Sequence, residues 1–257
     1  MQSFQPKPSL RWGLGAFTLV ELLVVIAIIS ILMTAGSIGL SGMGGKGVTS
    51  GVATAESLFD EARTTAVGRN LRSCVLVAKS LTNNPTEDLR RILVAYEEVD
   101  LTGTPATNPK YGQAKNPDSP SPKWELSSRG AILPDQTFFS SEFSFKDHKN
   151  QSDKIDIITH AKFVTAKKAY EGEYYIYQFN TQGIIIDSTN ANYRGGASFI
   201  IGSGARKPVK NALPKVTGSA KRDFGGFVIW RNGRTSVFRS PEQMGSGVKG
   251  ISSGGTF

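Results

Sequence analysis

The sequence contains little cysteine and little histidine, and these shortages exclude several classes of protein. One cysteine in 257 residues excludes an intramolecular disulfide framework and a cysteine-rich zinc module. Two histidines leave little material for a histidine-based metal site or a Ser-His-Asp triad. A phosphate-binding loop, a dinucleotide fingerprint and a nucleophile elbow are also missing. The 39% hydrophobic and 20% charged fractions are ordinary globular values, and they exclude wholesale disorder.

The net charge of +9 is concentrated in the last quarter of the chain. Residues 202–257 hold 10 basic and 2 acidic side chains, whereas residues 17–201 hold 18 basic and 19 acidic ones. The first 16 residues contribute Lys7 and Arg11 and no acid. Because a local excess of this kind attracts anions, the C-terminal quarter is a candidate region for binding phosphates or acidic partners.

One long apolar run lies near the N-terminus. Residues 17–40 are 24 residues long, and at about 1.5 Å per residue a helix of this length crosses a hydrocarbon core of about 30 Å. Glu21 is the only charged residue in the run. A carboxylate inside an apolar helix costs about 2.5–3.5 kcal/mol on insertion scales, so it usually has a partner. A free α-amino group at Phe17 would supply one, because it stays largely charged at pH 7.

The stretch Ala16-Phe17-Thr18-Leu19-Val20-Glu21, followed by the apolar run, resembles the class III signal of type IV pilins and type II secretion pseudopilins. The resemblance implies that a prepilin peptidase cuts between Ala16 and Phe17 and methylates the new amino group of Phe17. It also implies that Glu21 guides assembly with other pilin-like subunits. The family usually has glycine before the cut, where this chain has Ala16.

Two other interpretations of the N-terminus stay open. Ala35-Gly36-Ser37 would serve as the cleavage site of an ordinary secretory signal, and an uncleaved anchor needs no cleavage site. Since Lys7 and Arg11 precede the run and Lys46 alone follows it closely, the leader is expected in the cytoplasm. We therefore expect a single-pass protein of the bacterial inner membrane with a periplasmic C-terminal domain.

The remaining sequence predicts a helix followed by strands. Seven glycines between residues 36 and 51 are expected to bend or melt the stem, or to act as a linker. An apolar stripe, formed by Val48, Val52, Ala55, Phe59, Ala62 and Ala66, then predicts a helix over residues 48–69. Strands are predicted over residues 73–79, 91–99, 123–126, 138–145, 155–158, 174–180, 183–187, 197–201, 226–231 and 235–239.

Turn chemistry connects several of these strands. Thr181-Gln182-Gly183 and Arg231-Asn232-Gly233-Arg234 predict two hairpins, and Cys74 lies in an apolar strand that predicts a buried thiol. Residues 101–122 are expected to form a long surface loop, and residues 202–222 and 241–257 to be mobile. The predicted fold is α+β and pilin-like, with a leader (1–16), an assembly helix (17–40), a stem and amphipathic helix (41–70) and a β domain (71–257).

Three further segments resemble one particular group within the pseudopilins. The stretch from Leu58 to Val67 with Cys74–Val77, the Phe179–Gly183 hairpin and the Gly233–Val237 hairpin look like those of H-type (FimT-like) minor pseudopilins. This resemblance implies a non-enzymatic structural subunit of a type II secretion or type IV pilus filament, with no cofactor. Members of that group are associated with DNA capture, which gives the alternative function.

Candidate binding residues come mainly from the basic C-terminal quarter. Asp147, His148, Asp153, Asp156 and His160 lie close together in sequence but match no cation-loop pattern, so we predict no metal site. The candidates for anion or DNA binding are Arg206, Lys207, Lys210, Lys215, Lys221, Arg222, Arg231, Arg234 and Arg239.

Overall fold

The computed structural model describes residues 19–29, 43–127, 129–148, 150–165, 167–186, 196–218, 223–238 and 255–257. The chain divides into two units, residues 1–42 and residues 43–257. In the first unit, residues 19–29 form the helix α1. The second unit contains the helix α2 and all the described strands, so the domain is α+β as predicted. The predicted boundaries at residues 16, 40 and 70 stay predictions.

Helix α2 runs from Met43 to Arg69 and carries the predicted apolar stripe. All six stripe residues are buried, which confirms the predicted helix and its inward face. The helix begins earlier than predicted, however, and residues 43–51 do not melt. The reason is packing: a Cβ on Gly51 would lie 2.9 Å from Ile201 Cδ1, so the glycine lets α2 approach a strand closely.

A first antiparallel sheet contains seven of the described strands. Its main order is β10-β9-β1-β2-β3, with β4 paired to β2 and β8 paired to β9. The strands are β1 (Ser73–Leu81), β2 (Arg91–Glu97), β3 (Trp124–Leu126), β4 (Ala131–Ile132), β8 (Asp156–Thr159), β9 (Gly172–Phe179) and β10 (Ile185–Ile186).

A second antiparallel sheet has the order β13-β12-β11-β5, and a ribbon pairs β6 with β7. The strands are β5 (Thr137–Phe139), β6 (Phe145–Asp147), β7 (Asn150–Lys154), β11 (Ala197–Ser203), β12 (Phe224–Ile229) and β13 (Thr235–Phe238). The single strand predicted over residues 138–145 is wrong. A turn at residues 141–143 separates β5 from β6, with the Phe143 amide donating to Ser140 Oγ.

Both sheets pack against α2 in one core. The ring of Phe59 on α2 makes edge contacts with Tyr177 and Phe179 of the first sheet and with Phe199 and Phe227 of the second. A smaller apolar cluster lies in the first sheet, where Cys74 and Leu76 pack with Trp124 and Phe163. Cys74 is buried, as predicted, and burial raises the pKa of its thiol well above the ordinary value.

The segment expected to be mobile after β11 is anchored to the domain. Ala205 forms a bridge with Lys215, which in turn pairs with Thr256. Phe257 is fully buried and packs edge-on against Phe224. The described part of residues 202–222 and the last three residues are therefore held by the core, because their backbones pair and their aromatic groups are buried. Residues 241–254 lie outside the described part.

Candidate functional site

Helix α1 presents an apolar surface around the predicted assembly residue Glu21. Nine large apolar side chains of this helix are between 46% and 78% exposed. They are Leu19, Val20, Leu22, Leu23, Val24, Val25, Ile26, Ile28 and Ile29. A helix that is apolar all round is stable in a membrane or against other apolar helices. Glu21 lies in the first described turn, whereas Ala16 and Phe17 lie outside the described residues.

Among the described residues, no helix has both the length and the apolar character that a membrane crossing requires. The described part of α1 is 11 residues long.

Arg206, one of the predicted anion-binding residues, lies inside the domain. Its side chain is 2% exposed, and its Nη2 lies 2.6 Å from Oδ2 of Asp88, whose side chain has no exposed surface. The same guanidinium donates hydrogen bonds to the backbone carbonyls of Pro85, Val209 and Ala212. Because the side chain is buried and four of its five N–H donors are used in these contacts, Arg206 is not available to a phosphate group.

Asp88 is the internal partner of Arg206, and it lies in the connection between β1 and β2. Burial raises the pKa of its carboxyl, while the hydrogen bond from the Leu81 amide and the charge of Arg206 oppose that shift. The next residue, Leu89, has a positive φ of 60°. Its amide donates to Ala78 in the first sheet, and its carbonyl accepts from the Phe139 amide in the second. Through its ion pair with Asp88, Arg206 therefore stabilises a segment whose backbone is hydrogen-bonded to both sheets.

The other described candidates fall into two groups at opposite ends of the second sheet. Lys207, Lys210 and Lys215 are exposed on the loop after β11, while Arg231 and Arg234 are exposed on the turn between β12 and β13. Ala197, at the start of β11, pairs with Ile229, so this turn lies at the beginning of β11. Seven residues of strand separate the groups, which corresponds to about 20 Å.

These positions show how the predicted anion-binding residues are distributed in the described part of the chain. The described candidates form two separate groups, and Arg206 belongs to neither. Lys221, Arg222 and Arg239 lie outside the described residues.

The structure adds Arg63 to the arginine group, which sequence reasoning had missed. Arg63 lies on α2, and its Nε is buried without a hydrogen-bond partner. A Cβ on Gly233, in the β12–β13 turn, would lie 2.6 Å from this atom. Arg63 is not one of the apolar stripe residues of α2, and no sequence pattern shows that two hairpin turns close around it.

Three of the five residues weighed as a metal site make contacts with other groups of the domain, and His148 Nδ1 also lies 3.9 Å from Oδ1 of Asp147. Nζ of Lys146 lies 2.7 Å from Oδ1 of Asp156, His148 Nδ1 lies 2.9 Å from the Gly196 carbonyl, and His160 Nδ1 accepts a hydrogen bond from the Gly172 amide. Within the described ranges, no group of three or more His, Cys, Asp or Glu side chains is placed to hold a metal ion.

The N-terminal segment is the part of the chain that is similar to a known protein family. Residues 15–37 match the family model of the prokaryotic N-terminal methylation motif. No curated protein and no solved structure matches the chain. The matched residues include Ala16, Phe17 and Glu21, the three residues predicted for cleavage, methylation and assembly. The methylation motif at residues 15–37 supports a type IV pilin-like protein and implies processing by a prepilin peptidase and assembly with other pilin subunits.

Proposed function

We propose that this protein is a pilin-like structural subunit, cut between Ala16 and Phe17 and N-methylated at Phe17. The observation that carries the proposal is the match of residues 15–37 to the methylation motif, in the same segment where the sequence pattern predicts the signal. The enzyme that acts on it is a prepilin peptidase with methyltransferase activity. Ala16 is a small residue, so we expect the peptidase to accept it.

The precursor is held in the bacterial inner membrane before assembly. Lys7 and Arg11 keep the leader in the cytoplasm, and the domain from residue 43 onward lies in the periplasm. Assembly then buries the apolar side chains of α1 against those of other subunits. In that contact Glu21 pairs with the Phe17 amine of a neighbour, so that two buried charges neutralise each other. Such head-to-tail contacts do not close, and they build a filament.

Within the pilin-like proteins, we propose that this chain is a minor pseudopilin of a type II secretion or type IV pilus filament, similar to the H-type (FimT-like) group. Two of the three segments that carry this resemblance form hairpin turns in the structure, with positive φ at Gly183 and Gly233. The third forms the junction between α2 and β1.

Mass spectrometry of the mature protein tests the processing step. We expect a first residue of Phe17 carrying one extra methyl group. A mature chain that begins at Met1, or near Ser37, would contradict the proposal, because those starts correspond to an uncleaved anchor and a secretory signal.

Glu21→Ala tests the assembly step, with Asp60→Ala on the exposed face of α2 as a matched control. We expect the Glu21 variant to enter the membrane normally and to be absent from sheared filaments, while the control is incorporated. Normal incorporation of the Glu21 variant would exclude the pairing role.

The alternative function is DNA binding, and the exposure of the two basic groups favours it. Five of the nine candidates are exposed. One of the five, Lys210, lies near enough to Asp88 to lower the pKa of that carboxyl. Gel retardation of duplex DNA by the full chain in detergent, at low and moderate salt, tests it. Retardation that salt weakens would support DNA binding, and its absence at low salt would exclude it.

A further inference from the structure

The two glycine turns of the domain close around one arginine of α2. Gly183 in the β9–β10 turn and Gly233 in the β12–β13 turn have φ values of 71° and 75°. A Cβ on Gly183 would lie 3.1 Å from Arg63 Cγ, and a Cβ on Gly233 would lie 2.2 Å from the Gly183 carbonyl oxygen. The Arg63 side chain therefore passes through a slot that needs glycine on both sides.

The guanidinium in this slot has no counterion in the described part of the chain. Arg63 makes no hydrogen bond or ion pair there, and its Nε is buried. The turn that covers it also carries Arg231 and Arg234, which are exposed and equally lack an acidic partner among the described residues. Like charges gathered at one turn disfavour each other, and an anion at the slot would relieve this. A guanidinium already held in place loses little entropy when it binds a planar oxyanion.

We propose that Arg63 is a binding site for a side-chain carboxylate of a neighbouring subunit. This inference rests on the proposed function, which supplies the neighbour. A single guanidinium whose stem is packed between two turns offers one charged contact, which suits one carboxylate better than the repeating phosphates of duplex DNA. Val67, which contacts the Gly183 position, is 53% exposed and offers apolar surface beside the charge, which also suits a peptide. The exposed lysines lie at the other end of the sheet, so the arginines do not extend into a continuous phosphate-binding track.

Binding of poly-L-glutamate to the full chain in detergent tests the site. Arg63→Met keeps the aliphatic stem between the turns and removes the guanidinium. We expect this variant to bind polyglutamate about tenfold or more weakly, because a charge-assisted hydrogen bond is lost. The control, Lys215→Met, removes an exposed cation at the opposite end of the sheet and should change the affinity less than twofold.

Two results would overturn the proposal. Equal weakening by both variants would show that polyglutamate responds to overall charge alone. Duplex DNA that binds more tightly than polyglutamate, with the same dependence on Arg63, would assign the site to nucleic acid. If Arg63→Met lowers the unfolding temperature, Arg63→Lys provides the second variant: it keeps the charge without the fork and should still weaken binding.

Failure of the carboxylate site and failure of the proposed function are distinguishable. Glu21→Ala should leave polyglutamate binding unchanged while it blocks incorporation into filaments. If the wild-type chain binds polyglutamate through Arg63 but never enters filaments, a neighbouring subunit is excluded as the source of the carboxylate. If it enters filaments but binds no polyglutamate, the Arg63 site is excluded.

Discussion

Single residues in this domain have roles that depend on what surrounds them. Arg206 and Lys207 are adjacent basic residues in the sequence, yet the Arg206 side chain is 2% exposed and Lys207 is exposed. The partner of Arg206, Asp88, lies 118 residues away along the chain. Neither composition nor spacing reveals such a distant carboxylate, so the sequence pattern alone predicts phosphate binding for Arg206.

Arg206→Met should destabilise the domain strongly. Removing one member of a buried ion pair leaves the other charge uncompensated, which costs about 3–5 kcal/mol. The measurement is urea unfolding of the full chain in detergent. Arg231→Met, which removes an exposed arginine, should change the free energy of unfolding by no more than about 0.5 kcal/mol. Similar small changes in both variants would show that the Asp88 pair contributes little.

The Cys74 thiol should make stability fall at alkaline pH. Burial raises its pKa well above the ordinary value of 9.0, so the folded protein keeps this proton while the unfolded chain loses it. The free energy of unfolding should therefore fall, through this group, by about 1.4 kcal/mol per pH unit above pH 9. Subtracting the pH profile of Cys74→Ala isolates the effect. A difference that is independent of pH would show that the thiol ionises normally in the fold.

At the scale of elements, the periodic patterns were the most reliable guide. The stripe predicted α2, and the Gly183 and Asn232-Gly233 turns predicted the two hairpins, which pair as β9 with β10 and β12 with β13. These features are local, because helical spacing and turn chemistry involve neighbours in sequence. The prediction that the glycine-rich start of α2 would bend or melt is wrong for residues 43–51, since helix propensity does not reveal what a glycine packs against.

Two glycines of α2 should respond oppositely to substitution. Gly51→Val should destabilise the domain by about 1–3 kcal/mol, because the added atoms meet Ile201, Thr137 and Leu133. Gly68 has nothing within 4 Å of its Cβ position, so Gly68→Ala should stabilise the domain by about 0.5–1 kcal/mol through helix propensity. Thermal unfolding of both variants checks this. A stabilising Gly51→Val would show that α2 does not need the close approach.

At the scale of the whole domain, one helix packs against two sheets, and the sequence pattern did not predict that the strands divide into two sheets. The strand positions predicted from the sequence agree closely with those of β1, β2, β9, β11, β12 and β13. Their division between two sheets was not predicted, because alternation of apolar residues indicates a buried face without naming the neighbouring strand. The segment after β11 and the last residues complete the second sheet's core.

Phe257→Ala should therefore destabilise the whole domain. Its ring is fully buried against Phe224, and loss of a buried phenylalanine costs about 3–5 kcal/mol. Val209→Ala is the control, because Val209 is exposed on the anchored loop after β11 and its truncation should cost less than about 0.5 kcal/mol. Urea unfolding measures both variants. Equal stability of the two would show that the last residues do not belong to the core.

The sequence alone determined the features that depend on near neighbours: the N-terminal methylation motif, the inward face of α2, most strands, both hairpins and the burial of Cys74. Only the tertiary structure decided which arginine is paired inside the domain, which one is enclosed by two turns, and why α2 needs a glycine at position 51 but not at position 68. The physical reason is the range of the interactions. Periodicity and turn geometry act between residues a few positions apart, whereas ion pairing, close packing and burial depend on groups brought together from distant parts of the chain.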